Sequence, residues 1–309
     1  MPLSDSQRSH FLDKGYIIIQ DAFSKEMADV MLSHVWTRLG LDQNDSSNWP
    51  ERSHLPVQRE FPVKTFSPKA WEAMCGLLGE RNIDSGAIWS DSLIVSLGKD
   101  EWNKDEIPDH PRDLKNWHID GDNFLHFLDS PEQGLLVVPI FSDVISHNGG
   151  ATYICPDGIA KIAQKLARHP EGIMPGQPFN FHEIIATCEE FVELTGKLGD
   201  VVLMHPLMLH SWSPNLLRVP RFITNPPVSV KKFDFNRPLE ELSLVEQKTL
   251  LAIGLQEHYD YLRLNKRVTF PGVQSEKWRL QYEAERMRLK QKGELIEFLN
   301  TTKLVEGGS

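Results

Sequence analysis

The chain predicts a mainly β domain with flanking helices, and three kinds of observation carry that expectation. Short apolar or alternating runs at 87–97, 134–141, 201–206 and 219–224 have the length and period of strands. Turn signals, Asn148-Gly149 and Gly199-Asp200, punctuate them. Helical spacing is confined to other stretches, at 24–39, 158–169, 243–253 and 275–299.

In chain order, Ser24 is placed to cap a helix running to about Leu39, with Met27, Val30, Met31, His34 and Val35 on its apolar face. Residues 42–69 are rich in Pro, Ser and Asn and read as a long irregular segment, either the wall of a pocket or a plain surface loop. From Ala87 to Leu97 one strand alternates Ile88, Ser90, Ser92, Ile94 and Ser96 against Trp89, Asp91, Leu93, Val95 and Leu97, one face being expected to line a cavity. Residues 99–116 are charged and broken by Pro108 and Pro111, so they form a loop at the entrance. Gly134 to Phe141 is a core strand, and Gly158 to His169 a helix with Ile159, Ile162, Ala163 and Leu166 inward. Asn225-Pro226-Pro227 ends the sheet region. Beyond it, Ser243-Leu244-Val245-Glu246 is a capping box for a helix to about Ile253, and Ser275 is expected to cap a charged helix to about Leu299. Trp278, Tyr282 and Leu289 make a stripe on that helix, interrupted by Glu285, which docks either on the β core or on a second subunit as a homodimer.

At 309 residues and 40% hydrophobic content the chain can bury a full core. The expected organisation is a single domain, 1–309, with a helical part at 1–80, a β core at about 85–230 and a helical extension at 235–303. The formal charge is −10, from 33 basic and 43 acidic residues, without a dense Lys/Arg block. This argues against nucleic acid or an anionic membrane as partner and for a small-molecule substrate. Three widely spaced cysteines, Cys75, Cys155 and Cys188, argue against a disulfide scaffold or structural zinc. No basic-then-apolar leader, no apolar run of about 18 residues and no Ser-Lys-Leu ending are present, so a cytoplasmic location is expected.

Chemistry concentrates in Trp117-His118-Ile119-Asp120-Gly121, in Met208-Leu209-His210-Ser211-Trp212 and in Arg221. In a strand, residues two apart share a face about 6.8 Å apart, so His118 and Asp120 form a two-ligand clip. By itself His-x-Asp is weak in a chain with twelve histidines. A distant His210, delivered by the buried run after Gly199-Asp200, completes two imidazoles and one carboxylate, the facial set of non-haem Fe(II) oxygenases. Arg221 lies on the next extended run; adjacent antiparallel strands would put it and His210 at the same end of a pocket, where a guanidinium can grip a carboxylate bidentately.

Over roughly residues 8–230 the sequence resembles the phytanoyl-CoA dioxygenase family of Fe(II)/2-oxoglutarate oxygenases. The matching pieces are Phe11-Leu12-Asp13-Lys14-Gly15-Tyr16-Ile17-Ile18-Ile19, the Asn148-Gly149-Gly150-Ala151-Thr152-Tyr153-Ile154-Cys155-Pro156 turn and strand, and the order His118, Asp120, His210, Arg221. The resemblance implies a double-stranded β-helix (jelly-roll, cupin-like) core. It implies that His118, Asp120 and His210 ligate Fe(II) and that Arg221 binds the far carboxylate of 2-oxoglutarate. With O2, the enzyme would oxidise, most simply hydroxylate, a small organic substrate and release succinate and CO2.

The sequence departs from the family at two places. Asp157-Gly158-Ile159 replaces Gly-Ser-His after the Pro, ahead of an unusually long 158–196 stretch. Trp212 stands where relatives carry a hydroxyl two residues after the second His, leaving Thr152 and Ser213 as candidates for that contact to the co-substrate. Phe124, Trp212 and His126 are candidates for touching substrate, although large aromatics, Trp102, Trp117 and Phe127 included, are also ordinary core filler. Strand alternation puts His205 on the face opposite His210, in a structural role. Three other readings stay open: a zinc hydrolase on the same ligands, which leaves Arg221 without a task; a catalytically inert binding protein; and a halogenase, against which Asp120 argues because such enzymes leave room for chloride there.

Overall fold

The computed structural model describes residues 3–84, 86–271 and 275–306. Helix Asp5–Lys14 starts at a capping box between Ser4 and Gln7. It ends at Gly15, whose φ of +76° and close approach to Ile159 leave no room for a side chain. That turn launches Tyr16–Ile19, which pairs antiparallel with Val201–Met204, itself paired with Leu136–Pro139. A second three-stranded sheet runs Arg221–Ile223, Ile94–Ser96, Arg52–His54. The Ile140–Ile223 bridge and a 3.0 Å bond from Phe141 N–H to the Phe222 carbonyl join the two into one layer. The other layer is Leu209–Trp212, Thr152–Cys155 and Val192–Leu194, with His118 bridged to His210. Side chains of both layers line one cavity, the candidate site.

Leu136–Pro139 and Val201–Met204 are buried at every position, so they read as continuous apolar runs rather than as alternating ones. The helix at Gly158–Arg168 and the Ser243/Glu246 capping box of Leu244–Ala252 form where the sequence places them. Among the described residues no helix is long and apolar enough to cross a membrane.

Several expectations are corrected, and one buried cluster accounts for most of them. The helix expected over 24–39 is two, Lys25–Leu32 and Val35–Leu39, broken at His34 with φ +56°. The break turns Arg38 inward to full burial, where it meets Asp91 at 3.1 Å and Glu285 at 2.9 Å. Asp91 likewise splits the expected 87–97 strand into Ile88–Ser90 and Ile94–Ser96, because its carboxylate accepts from the Gln58 and Arg59 backbone and from Arg59 Nε. The 42–69 segment is not irregular throughout: pinned by Arg59, it supplies strands Arg52–His54 and Glu60–Pro62 and helix Val63–Phe66. Glu285, expected to interrupt the C-terminal stripe, is its anchor, and it docks helix Ser275–Gln291 on its own chain. Gly293, at φ +74°, then separates that helix from Leu295–Asn300, so the expected single helix to Leu299 is two. The cap assigned to the Ser275 side chain lies outside the described residues.

Arg38→Met is expected to cost about 3–5 kcal/mol, because it leaves Glu285 buried without its cation and Asp91 with Arg59 alone. Urea denaturation checks this; a loss below about 1 kcal/mol contradicts it. Burial also raises the Glu285 carboxyl to about 7 despite Arg38. A raised acid binds its proton more tightly folded than unfolded, so its contribution is whole below its ordinary 4.5 and is lost as pH rises through about 7. Thermal melts from pH 5 to 8.5 should fall more steeply in wild type than in Glu285→Gln.

Candidate metal centre and anion pocket

His118 and Asp120 sit in an extended segment rather than in a regular strand, held by a single bridge: His118 N–H to the His210 carbonyl, 3.1 Å, and His210 N–H to the His118 carbonyl, 3.0 Å. Loop residues on either side, Pro111–Asp113 and the turn at Gly121, keep the ladder from extending. Gly121 has φ +108°, and a side chain there would strike the Phe124 ring. That one bridge closes the ninety-residue gap between the clip and His210, bringing the two imidazole centroids to 4.2 Å.

Each imidazole is oriented from behind. His118 Nδ1 donates to the Asn116 carbonyl at 2.7 Å and His210 Nδ1 to the Met208 carbonyl at 3.1 Å. A carbonyl can only accept, so the proton sits on Nδ1 and the Nε2 lone pairs face inward. Both Nε2 atoms lie 3.4 Å from Asp120 Oδ1, and the three donor atoms fall within 4.8 Å of one another. Asn225 Nδ2 holds the other Asp120 oxygen at 3.3 Å. Burial alone would raise the Asp120 carboxyl, but His210 and then His118 outweigh it and hold it well below the usual carboxylate range. Burial lowers His210, and Asp120 outweighs that too, leaving it raised. The donor set and its outer partners fit a divalent transition metal with open positions.

Arg221 does not neighbour the His210 strand as expected; its strand pairs with Ile94–Ser96 across the cavity, in the opposite layer. The two still converge on one cavity of about 670 Å³. Arg221 is 2% exposed, its Nη1 donates to Thr152 Oγ1 at 3.4 Å, and its Nε is buried without a partner among the described residues. Burial, then the like charge of Arg52, push its guanidinium down to about 9, still a cation at neutral pH. Arg52 stands 3.8 Å over the Trp212 ring. Neither arginine has a carboxylate ion pair among the described residues.

Of the other sequence candidates, Thr152 and Trp212 line this cavity. Ser213 does not: its hydroxyl donates to the Ala151 carbonyl at 2.8 Å, a strand-end bond that turns it away. Phe124 and His126 line an adjoining cavity, where His126 Nε2 donates to the Gly121 carbonyl at 2.6 Å. His205 is fully buried against Thr249, and burial pushes it down to about 3. Trp117 is spent on the Pro111 carbonyl and Phe127 packs beneath Arg263 and Arg267. Arg52, Asn225, Gln133 and Trp278 were not foreseen. Asn225 alone had a signal, an amide four residues past Arg221 that reads as a strand end.

No family model and no curated protein matches the chain. Solved structures resemble it at a distance. HygX from Streptomyces hygroscopicus, with nickel and 2-oxoglutarate bound, is 14% identical over 78% of this chain and 92% of that one, with a TM-score of 0.45. The epimerase SnoN, in complex with Fe3+, alpha ketoglutarate and nogalamycin RO, is 14% identical over 85% and 95%, with a TM-score of 0.47. EctD from S. alaskensis, with bound Fe, is 17% identical over 74% and 77%, with a TM-score of 0.45. The site's own residues, not these resemblances, carry the functional reading.

Proposed function

We propose that the chain is a single-domain, cytoplasmic Fe(II)- and 2-oxoglutarate-dependent dioxygenase of the phytanoyl-CoA dioxygenase type, built on a double-stranded β-helix, that hydroxylates a small organic substrate. The observation that carries this reading is the buried, carboxylate-free Arg221 in the same cavity as the His118, Asp120 and His210 donors. An unpaired buried cation is costly, and it is retained where a ligand supplies the anion. Thr152 pairs with Trp212, two residues along from His210. Diagonal neighbours of this kind lie about 7–8 Å apart, a span that a five-carbon diacid can bridge between the donors and Arg221.

Bound there, iron and 2-oxoglutarate supply the oxidising power, with O2 as co-reactant and succinate and CO2 as products. The residues orient and shield. His118, His210 and Asp120 would hold the ion, Asn225 keeps the Asp120 carboxylate from rotating, and Arg221 with Thr152 would take the far carboxylate of 2-oxoglutarate. Arg52, stacked on Trp212, adds positive charge to the pocket. A zinc hydrolase on the same donors gives both arginines no task.

The test is turnover of 2-oxoglutarate to succinate under air. Fe(II) should support it, even without prime substrate, and Zn(II) should not. Turnover with Zn(II), or none with Fe(II), rejects the reading.

A further inference from the structure

Two cavities of opposite charge meet at the donor cluster. The first holds Arg52, Arg221 and Lys277. The second, about 560 Å³, shares His54, His118, Asp120 and Asn225 with it. No Lys or Arg lines the second cavity among the described residues, whereas Asp122 and Glu132 add carboxylates. Glu132 is loosely met by Arg267 at 3.5 Å, and Asp122 has no ion pair among the described residues. Its two remaining histidines add no charge at neutral pH: burial pushes His126 down to about 4, and burial with Arg52 pushes His54 to about 4.

The wall is also built to receive a ligand. Gln133 is 6% exposed, lines this cavity, and its amide makes no hydrogen bond among the described residues. The amide therefore takes its partners from the water or ligand that fills the cavity. Around it, Phe124 lies 4.4 Å from the His126 ring and Phe179 stacks on Phe181 at 5.1 Å, giving an apolar lining.

We infer that the second cavity takes a small molecule that bears an amine and an apolar ring or chain and carries no carboxylate or phosphate. The inference rests on the oxygenase reading. The ring packs on Phe124 and Phe179, Gln133 meets a polar substituent, and the ammonium lies toward Asp122. Charge then sorts the two ligands: the diacid is repelled from the second cavity and the amine from the first, so neither blocks the other.

The test uses full-length protein held anaerobically with Fe(II) and 2-oxoglutarate. Three probes of similar shape, phenethylamine, 2-phenylethanol and phenylacetate, are titrated by saturation-transfer NMR while the visible charge-transfer band reports loading. The amine should bind about tenfold tighter than phenylacetate, with the alcohol between them. Asp122→Asn should cut the amine's advantage over the alcohol about threefold or more. Failure of the amine to bind, equal affinity for phenylacetate, or an unchanged ratio in Asp122→Asn overturns the inference with the band intact. Absence of the band in wild type overturns the oxygenase reading and, with it, this one.

Discussion

Arg221→Met is expected to raise the KM for 2-oxoglutarate about a hundredfold or more while leaving the metal-free protein at least as stable as wild type. Both halves follow from one fact, a 2% exposed guanidinium that, among the described residues, leaves its Nε without a partner and makes a single side-chain bond, to Thr152 at 3.4 Å. Without ligand the buried charge is a cost, and a methionine of similar volume removes it; comparable replacements of buried ionic groups have been neutral or stabilising by about 1–4 kcal/mol. With ligand the same charge makes the bidentate contact, whose loss costs about 2–5 kcal/mol. Function and stability should therefore move in opposite directions. Thermal melts of the apoprotein and initial rates against 2-oxoglutarate decide it: a lower melting temperature with an unchanged KM would mean that Arg221 is a structural cation. Arg52→Leu should show the weaker effect, about three- to tenfold in KM, since its guanidinium is stacked on Trp212 rather than enclosed.

His210→Ala is expected to abolish turnover through loss of the metal. The substitution removes one of three donors and also the largest favourable influence on Asp120, whose carboxyl then drifts back toward its ordinary range. Losing an outer partner of a metal ligand costs about 10–100-fold in affinity. Asn225→Ala, which frees the far oxygen of Asp120, should fall in that range, and His210→Ala well beyond it. Titration with Co(II), read by its visible spectrum, separates the three proteins. Equal affinity in wild type and His210→Ala would remove His210 from the ligand set.

What was legible in the sequence is what the chemistry demands by residue type and spacing. A clip needs His-x-Asp, a keto acid needs a guanidinium, and strands buried at every position must be apolar, so His118, Asp120, His210, Arg221 and the 134–141 and 201–206 strands stand out. The geometry joining them was less legible. His118 is fixed by one bridge rather than by a strand, and Arg221 enters from the opposite layer, because register and strand order depend on long-range pairing that local pattern does not carry. Arg52 was hidden in a Pro/Ser/Asn-rich segment that becomes a strand only when Arg59 and Asp91 pin it. Glu285 misled for a related reason: a charge on an apolar stripe signals exposure unless its partner, here Arg38 far away in sequence, is also known. Ser213 and Thr152 were equal candidates as hydroxyls; the Ala151 carbonyl takes Ser213, and Arg221 reaches Thr152.

The central claim is that two imidazoles and one carboxylate hold Fe(II) while a buried guanidinium holds the tail of a keto diacid. Anaerobic titration of the protein with Fe(II) and then 2-oxoglutarate tests it most directly. Wild type should develop the visible charge-transfer band of a chelated keto acid, His118→Ala should not, and Arg221→Met should need far more 2-oxoglutarate to reach it. The same band, at the same 2-oxoglutarate concentration, in all three proteins would contradict the account.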